Sequence, residues 1–173
     1  MDITITTPTA RQEIVTDLDA LRQCIDAANR LNDLKDESGR TEAEAAASRR
    51  QRDALTVRLR ELADRVREST ITLTLHGLKS NEWNQIVLQC TTTEHGQTTK
   101  DLPLLLSLSL PAMVDGLTDA HGKPLDMDRD EIQRLAKSLT DTQSLELLQT
   151  IQTLNTPASA LPKEILTMLG SVD

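Results

Sequence analysis

Residues 71–90 read ITLTLHGLKSNEWNQIVLQC. Isoleucine and leucine alternate with threonine as far as Leu75, a His-Gly pair interrupts, and the chain's only tryptophan then falls inside a helix-like run. Ile71, Leu73 and Leu75 would face one way and Thr70, Thr72 and Thr74 the other, which is the period of a half-buried strand. Ser80 is placed to cap a helix in which Trp83, Ile86, Val87 and Cys90 stand at i, i+3, i+4 and i+7. The stretch predicts a strand, a turn and a short helix packed as a small module, with Leu73, Leu75, Trp83 and Ile86 as its structural anchors.

Before this stretch the pattern is helical. Ile14, Leu18, Leu21, Ile25 and Ala28 are spaced alternately by four and three, as a helix burying a narrow seam requires. The run stops at KDESGR, where Gly39 suits a left-handed cap. In TEAE, Thr41 and Glu44 form a capping box that restarts a helix, on which Leu55, Leu59, Leu62 and Val66 repeat the four-three spacing. Two arms of roughly 27 residues, each about 40 Å long, predict a helical hairpin. Seams this thin bury little, so the hairpin is expected to lean on another copy or on a partner.

After it, the polar loop TTTEHGQTTKD leads to LPLLLSLSLPAMVDGL, the most apolar segment of the chain. Pro103 suits a first helical turn, whereas Pro111 would kink or break a helix. LLLSLSL could pass for a short buried strand, which periodicity alone does not separate from a helix, and a kinked helix is the expected form. TDAHGKP is a turn. Asp128 with Glu131 and Thr140 with Gln143 form two further capping boxes, opening helices that bury Ile132, Leu135, Ala136 and Leu139, then Leu147, Leu148, Ile151 and Leu154. A short helix follows from about Pro162.

With no Phe, no Tyr and one Trp in 173 residues, a large core is not expected. A net charge of −8 argues against binding nucleic acid. Arg49, Arg50 and Arg52 lie among Glu42, Glu44, Asp53, Glu61 and Asp64 and read as a solvated helix face. Cys24 and Cys90 are too few for a disulfide framework, which suits a reducing cytosol. The opening MDITITTPTARQ shows neither a basic region nor an apolar run, so a standard export signal is not expected, and no apolar run reaches the ~18 residues of a membrane helix.

Signals for catalysis are absent from the pattern. The glycines are scattered, so no phosphate-binding loop of the GxGxxG or GxxxxGK[ST] type is present. His76, His95 and His121 each sit beside a glycine, and with Cys90 they lack zinc-ligand spacing. Asp126, Asp128 and Asp130 imitate the start of a calcium loop, but Glu131 stands where the loop needs glycine. Neither an enzyme, a metal site nor a cofactor is expected.

The order of these elements resembles the tail assembly chaperones of long-tailed, siphovirus-type bacteriophages, notably the actinobacterial-phage type. The likeness is carried over residues 10–155 by the strand from Thr70 to Leu75, the aromatic Trp83 near a helix start, the apolar segment from Leu102 to Val114 and the L-x-x-x-x-x-x-N ending from Leu148 to Asn155. The chain departs from that pattern in having Leu73 and Leu75 where Phe is frequent, and His95-Gly96 in place of an H-P-P run. The resemblance implies a non-catalytic chaperone that coats the tape measure protein and brings it to the tail tube protein in the host cytoplasm. It also implies a frameshift-extended longer form and absence from the mature virion. On this reading Leu104, Leu105, Leu106, Leu108, Leu110 and Met113 bind the tape measure helices, and the hairpin makes a homo-oligomer. A structural virion or scaffolding coiled coil, or a cytosolic adaptor or regulatory protein, are the competing readings. The expected fold is mainly α: a 1–9 tail, a long 10–68 helical hairpin or coiled coil, a small mostly helical 69–155 domain with at most one or two short strands, and a 156–173 tail with a short helix.

Overall fold

A computed structural model describes residues 5–34, 41–160 and 162–168. Among them the order is β1 (Thr9–Val15), α1 (Leu18–Asp33), α2 (Glu42–Glu68), β2 (Thr70–His76), α3 (Ser80–Gln89), β3 (Thr91–Glu94), β4 (Gln97–Lys100), α4 (Leu102–Met113), β5 (Val114–Thr118), α5 (Arg129–Ser138), α6 (Asp141–Asn155) and α7 (Lys163–Met168). One sheet has the order β1-β2-β5 and a second is the β3-β4 pair.

This mixed α/β arrangement corrects the mainly helical fold expected above. Strands are interspersed among the helices from Thr9 onward, and the described residues do not form a long N-terminal coiled-coil hairpin. The N-terminal arm departs from the expectation because TARQEIV is a strand: Ile14 is buried at its end while Arg11 and Glu13 are exposed. Its long polar side chains disguise the two-residue period. Helix α1 begins only after Asp17, whose carboxylate accepts from the Ala20 N–H at 2.9 Å. It therefore has 16 residues against the 27 of α2, and the arms do not match. Gly39, expected to close the first arm, lies outside the described residues.

The chain divides into two compact units that are not contiguous in sequence. One comprises the residues up to Gln12, Thr74–Asp115 and those from Met127 on; the other comprises Glu13–Leu73 and Gly116–Asp126. One division between the two units falls between Leu73 and Thr74, inside β2.

In the second unit α1 and α2 run antiparallel. Asp17 at the start of α1 meets Arg65 at 2.8 Å, Gln23 accepts from Arg58 at 3.0 Å, and the Leu34 carbonyl accepts from Arg52 at 2.9 Å. Arg52 thereby serves the C-terminal end of α1, where a cation complements the free carbonyls. Helix α2 turns Leu55, Leu59, Leu62 and Val66 inward as the spacing predicts, with Leu62 fully buried. Helix α1 does not use its expected seam: Ala20 and Ala27 are buried, while Leu18 and Ile25 stay 36% and 52% exposed. Small residues win the inner face because they let two helices approach closely, and the leucine-isoleucine stripe is left on the flank. The TDAHGKP turn is held by the Asp119 carboxylate, which accepts from the backbone N–H groups of His121 and Lys123, with Gly122 at φ +76°.

In the first unit α4 is the hub, packing on α3, α5 and α6. LPLLLSLSLPAM is a helix, as expected, and not the short strand it could also have been. It continues past Pro111 to Met113, the missing N–H falling in the last turn. Leu105, Leu106, Leu110 and Met113 are buried; so is Ser109, whose hydroxyl donates to the Leu105 carbonyl at 2.7 Å. Both capping boxes read from the sequence open the covering helices, Asp128–Glu131 on α5 and Thr140–Gln143 on α6. Ser80 is the first residue of α3 and not its cap; Lys79 takes that position without a side-chain bond. Asn155 ties the end of α6 to the loop after β2: its Oδ1 accepts from the Leu78 N–H at 2.8 Å and its Nδ2 donates to the Ile151 carbonyl at 2.8 Å. Beside it Gly77 donates to the Pro8 carbonyl at 2.8 Å, and a Cβ there would collide with the Leu154 carbonyl.

Three outcomes follow for stability. Leu62→Ala should cost about 2–5 kcal/mol in denaturant unfolding, whereas Ile25→Ala should stay within about 0.5 kcal/mol. Gly77→Ala and Asn155→Ala should each cost about 1–3 kcal/mol, the first by overpacking and the second by leaving a backbone donor unpaired. The Asp17 carboxyl is held below its ordinary 3.8 by the Ala20 N–H and by Arg65, and that of Asp119 below the same value by the N–H groups of Lys123 and His121. Their contribution is complete above 3.8 and fades as pH falls through the lower native values. Melts across an acid pH series should accordingly show a shallower acid loss for Asp17→Asn than for the unaltered chain.

Candidate partner-binding groove

The route from α3 to α4 fixes the edge of a groove in the first unit. Thr91–Glu94 pairs antiparallel with Gln97–Lys100, closed by His95 at φ 51° and Gly96 at φ 79°, the two left-handed positions of a type I′ turn. At the base of this hairpin the Asp101 N–H donates to the Cys90 carbonyl at 2.8 Å. The Asp101 carboxylate accepts from the Leu104 N–H at 2.9 Å and so starts α4. Lys100 and Leu102 are thereby delivered to one place. The sequence signal for the hairpin was present in TTTE-HG-QTTK, β-branched residues around a glycine-containing pair, but the stretch reads as a loop because its faces are polar.

Two clefts adjoin there across Leu102 and Leu148. One, of about 200 Å³, is walled by Trp83, Val87, Lys100, Leu105, Ile151, Gln152 and Thr156. The other, of about 480 Å³, is walled by Pro103, Leu106, Ala136, Lys137, Leu139, Asp141, Ser144 and Leu145. The walls are chiefly apolar, and Leu102 and Leu145 are 43% and 60% exposed on them. Lys100, Lys137 and Asp141 supply charge at the margin.

Of the six residues expected to touch a partner, Leu105, Leu106, Leu110 and Met113 are core, Leu108 is half-buried, and Leu104 alone is exposed. A helix apolar on every side is a buried helix, which is why the most apolar segment could not also be an open stripe. Leu105 and Leu106 reach the groove only as its floor. Leu102, Leu145 and Leu148, which the sequence did not single out as contact residues, form the accessible part. Among the four anchors, Leu73 and Leu75 are fully buried, and Trp83 and Ile86 are half-buried. Trp83 therefore serves as a groove wall as much as a core residue.

Outside the groove, His76 and His121 lie beside carboxylates. His76 Nδ1 lies 2.8 Å from Asp115 Oδ1 but without the alignment of a hydrogen bond. The cleft beside it, about 600 Å³ and walled by His76, Glu82, Gln85, Gln89 and Arg129 among others, contains no hydroxyl or thiol side chain. His121 Nε2 meets Glu68 at 2.8 Å in the second unit, with both side chains exposed. Burial pushes the Cys90 thiol up, with the Asp101 charge adding to it, away from a reactive thiolate. Asp128, one of the acids that imitate a calcium loop, is the N-cap of α5. Among the described residues no three His, Cys, Asp or Glu side chains stand together as metal ligands, and no helix is long and apolar enough to cross a membrane. No protein-family model, curated protein or solved structure matches this chain.

Trp83→Ala should cost about 1–2 kcal/mol in denaturant unfolding, less than the 3–5 kcal/mol of truncating a fully buried aromatic, while Leu110→Ala should cost about 2–5 kcal/mol. Equal losses for the two would show Trp83 to be a core residue.

Proposed function

We propose that this protein is a non-catalytic, protein-binding chaperone that holds an amphipathic helix in the groove of the first unit. The partner is the tape measure protein of a long-tailed bacteriophage. The single observation that carries the reading is the leucine-lined groove, with Leu102 and Leu145 exposed beside a half-buried tryptophan. Such a surface suits helix-in-groove recognition by residues spaced i, i+3, i+4 and i+7. The choice of partner rests on the sequence motifs between Thr70 and Asn155 that resemble the tail assembly chaperones, and not on the N-terminal arm.

Fully burying a leucine contributes about 1.5–3 kcal/mol, and Leu102 and Leu145, already partly buried, have only a part of that left to gain, which association costs largely consume. One groove thus binds weakly. Many copies along a long helical partner bind by avidity, as coating requires. The acidic balance keeps uncomplexed copies apart. The same proposal places the protein in the host cytoplasm during assembly, handing its cargo to the tail tube protein and leaving before the virion is complete. A frameshift-extended form of the chain would share the groove.

Coexpression tests this. The tape measure protein should remain soluble with the unaltered chain and precipitate with the Leu102→Asp/Leu145→Asp double variant, whose circular dichroism should match that of the unaltered chain. A tape measure protein equally insoluble with and without the chain would overturn the proposal.

A further inference from the structure

The groove has a second claimant within the same unit. Helix α7 leaves Ile165 41% and Met168 85% exposed, three residues apart and so on one helical face. The segment bearing them departs from the groove itself, because Thr156, the residue after α6, is part of the wall beside Trp83. The residues from Thr156 to Lys163 can span about 23 Å when extended. Running back along α6 from Thr156 to Leu145 covers only about 16 Å at 1.5 Å per residue. The tether is therefore long enough for α7 to lie over Leu148 and reach Leu145. Glu164, exposed beside Ile165, would meet a margin that carries Lys100 and Lys137 along with Asp141.

We propose that α7 is a tethered occupant of the groove, docking Ile165 and Met168 over Leu148 and Leu145 until a partner helix displaces it. In the structure both side chains stand uncovered, so the docked arrangement is a second state of the same chain. A tether this short holds α7 at an effective concentration in the millimolar range, which favours docking within the chain over docking between chains. Apparent affinity for any partner falls by the fraction of grooves so occupied. The proposal rests on reading the groove as a helix-binding site but not on who the partner is, and its test uses the isolated full chain, so the two fail separately.

Trp83, the only tryptophan, reports on the groove. In the full chain its emission should be bluer and less quenched by acrylamide than in Ile165→Asp/Met168→Asp, whose substitutions fall on exposed positions, and circular dichroism should be the same for both. Leu145→Asp, on the far wall and away from the tryptophan, should give the same red shift with α7 unaltered. A synthetic peptide of residues 157–173 should restore the blue emission to the α7 double variant and fail to do so for Leu145→Asp. Identical emission and quenching in all three proteins would overturn the proposal. So would a red shift confined to the α7 variant, since the groove wall would then not be the docking site. Protection that disappears on dilution, together with dimers in gel filtration, would overturn it in favour of an exchange of α7 between two copies.

Discussion

A helix that is apolar all round cannot stand in water, and α4 is such a helix. LPLLLSLSLPAM offers no polar face, so every side of it must find a neighbour. Helices α3, α5 and α6 supply them. In a chain with no Phe and no Tyr this leucine helix takes the place that aromatic residues usually fill at the centre of a core. Each leucine buried there contributes about 1.5–3 kcal/mol. The two serines within it are tolerated because each is bonded: Ser109 to the Leu105 carbonyl, and Ser107 to the Gln133 amide at 2.9 Å. Three boundaries around it are then set by local chemistry: Asp101 starts α4, Asp128 with Glu131 starts α5, and Thr140 with Gln143 starts α6.

The features that a sequence states locally were legible. All three capping boxes, the TITLTL strand with Leu73 and Leu75 buried, the inward face of α6 and the His-Gly turns need only neighbours within a few residues. What was not legible depends on partners distant in the chain. TARQEIV is a strand because a sheet exists for it to join, and its Arg, Gln and Glu hide the alternation. Ala20 and Ala27, not Leu18 and Ile25, are the buried positions of α1, a choice that one helix viewed alone does not reveal. The β3-β4 hairpin is polar on both faces and carries no hydrophobic period. The two units interleave along the chain, so no compositional shift marks their boundary.

The groove was half legible. The sequence pointed to the apolar segment and to Trp83, both of which line it, but the contact residues assigned there are mostly core. The accessible leucines are those at the starts of two helices. Burial along α4 runs from Leu102 at 43% exposure and Leu104 at 37% to Leu110 and Met113 at 0%. Leu110 and Met113 are enclosed, and the N-terminal turn is not. The need to cover α4 is thus met at one end and left open at the other, and the open end is where a partner helix, or α7, would complete it.

Amide hydrogen exchange across the first unit tests the central place of α4 most directly. The amides of Leu106 to Leu110 should exchange only through global unfolding of that unit, slower than those of α3 or of the β3-β4 hairpin. Exchange in α4 as fast as in the hairpin would contradict the claim that the unit is built around it.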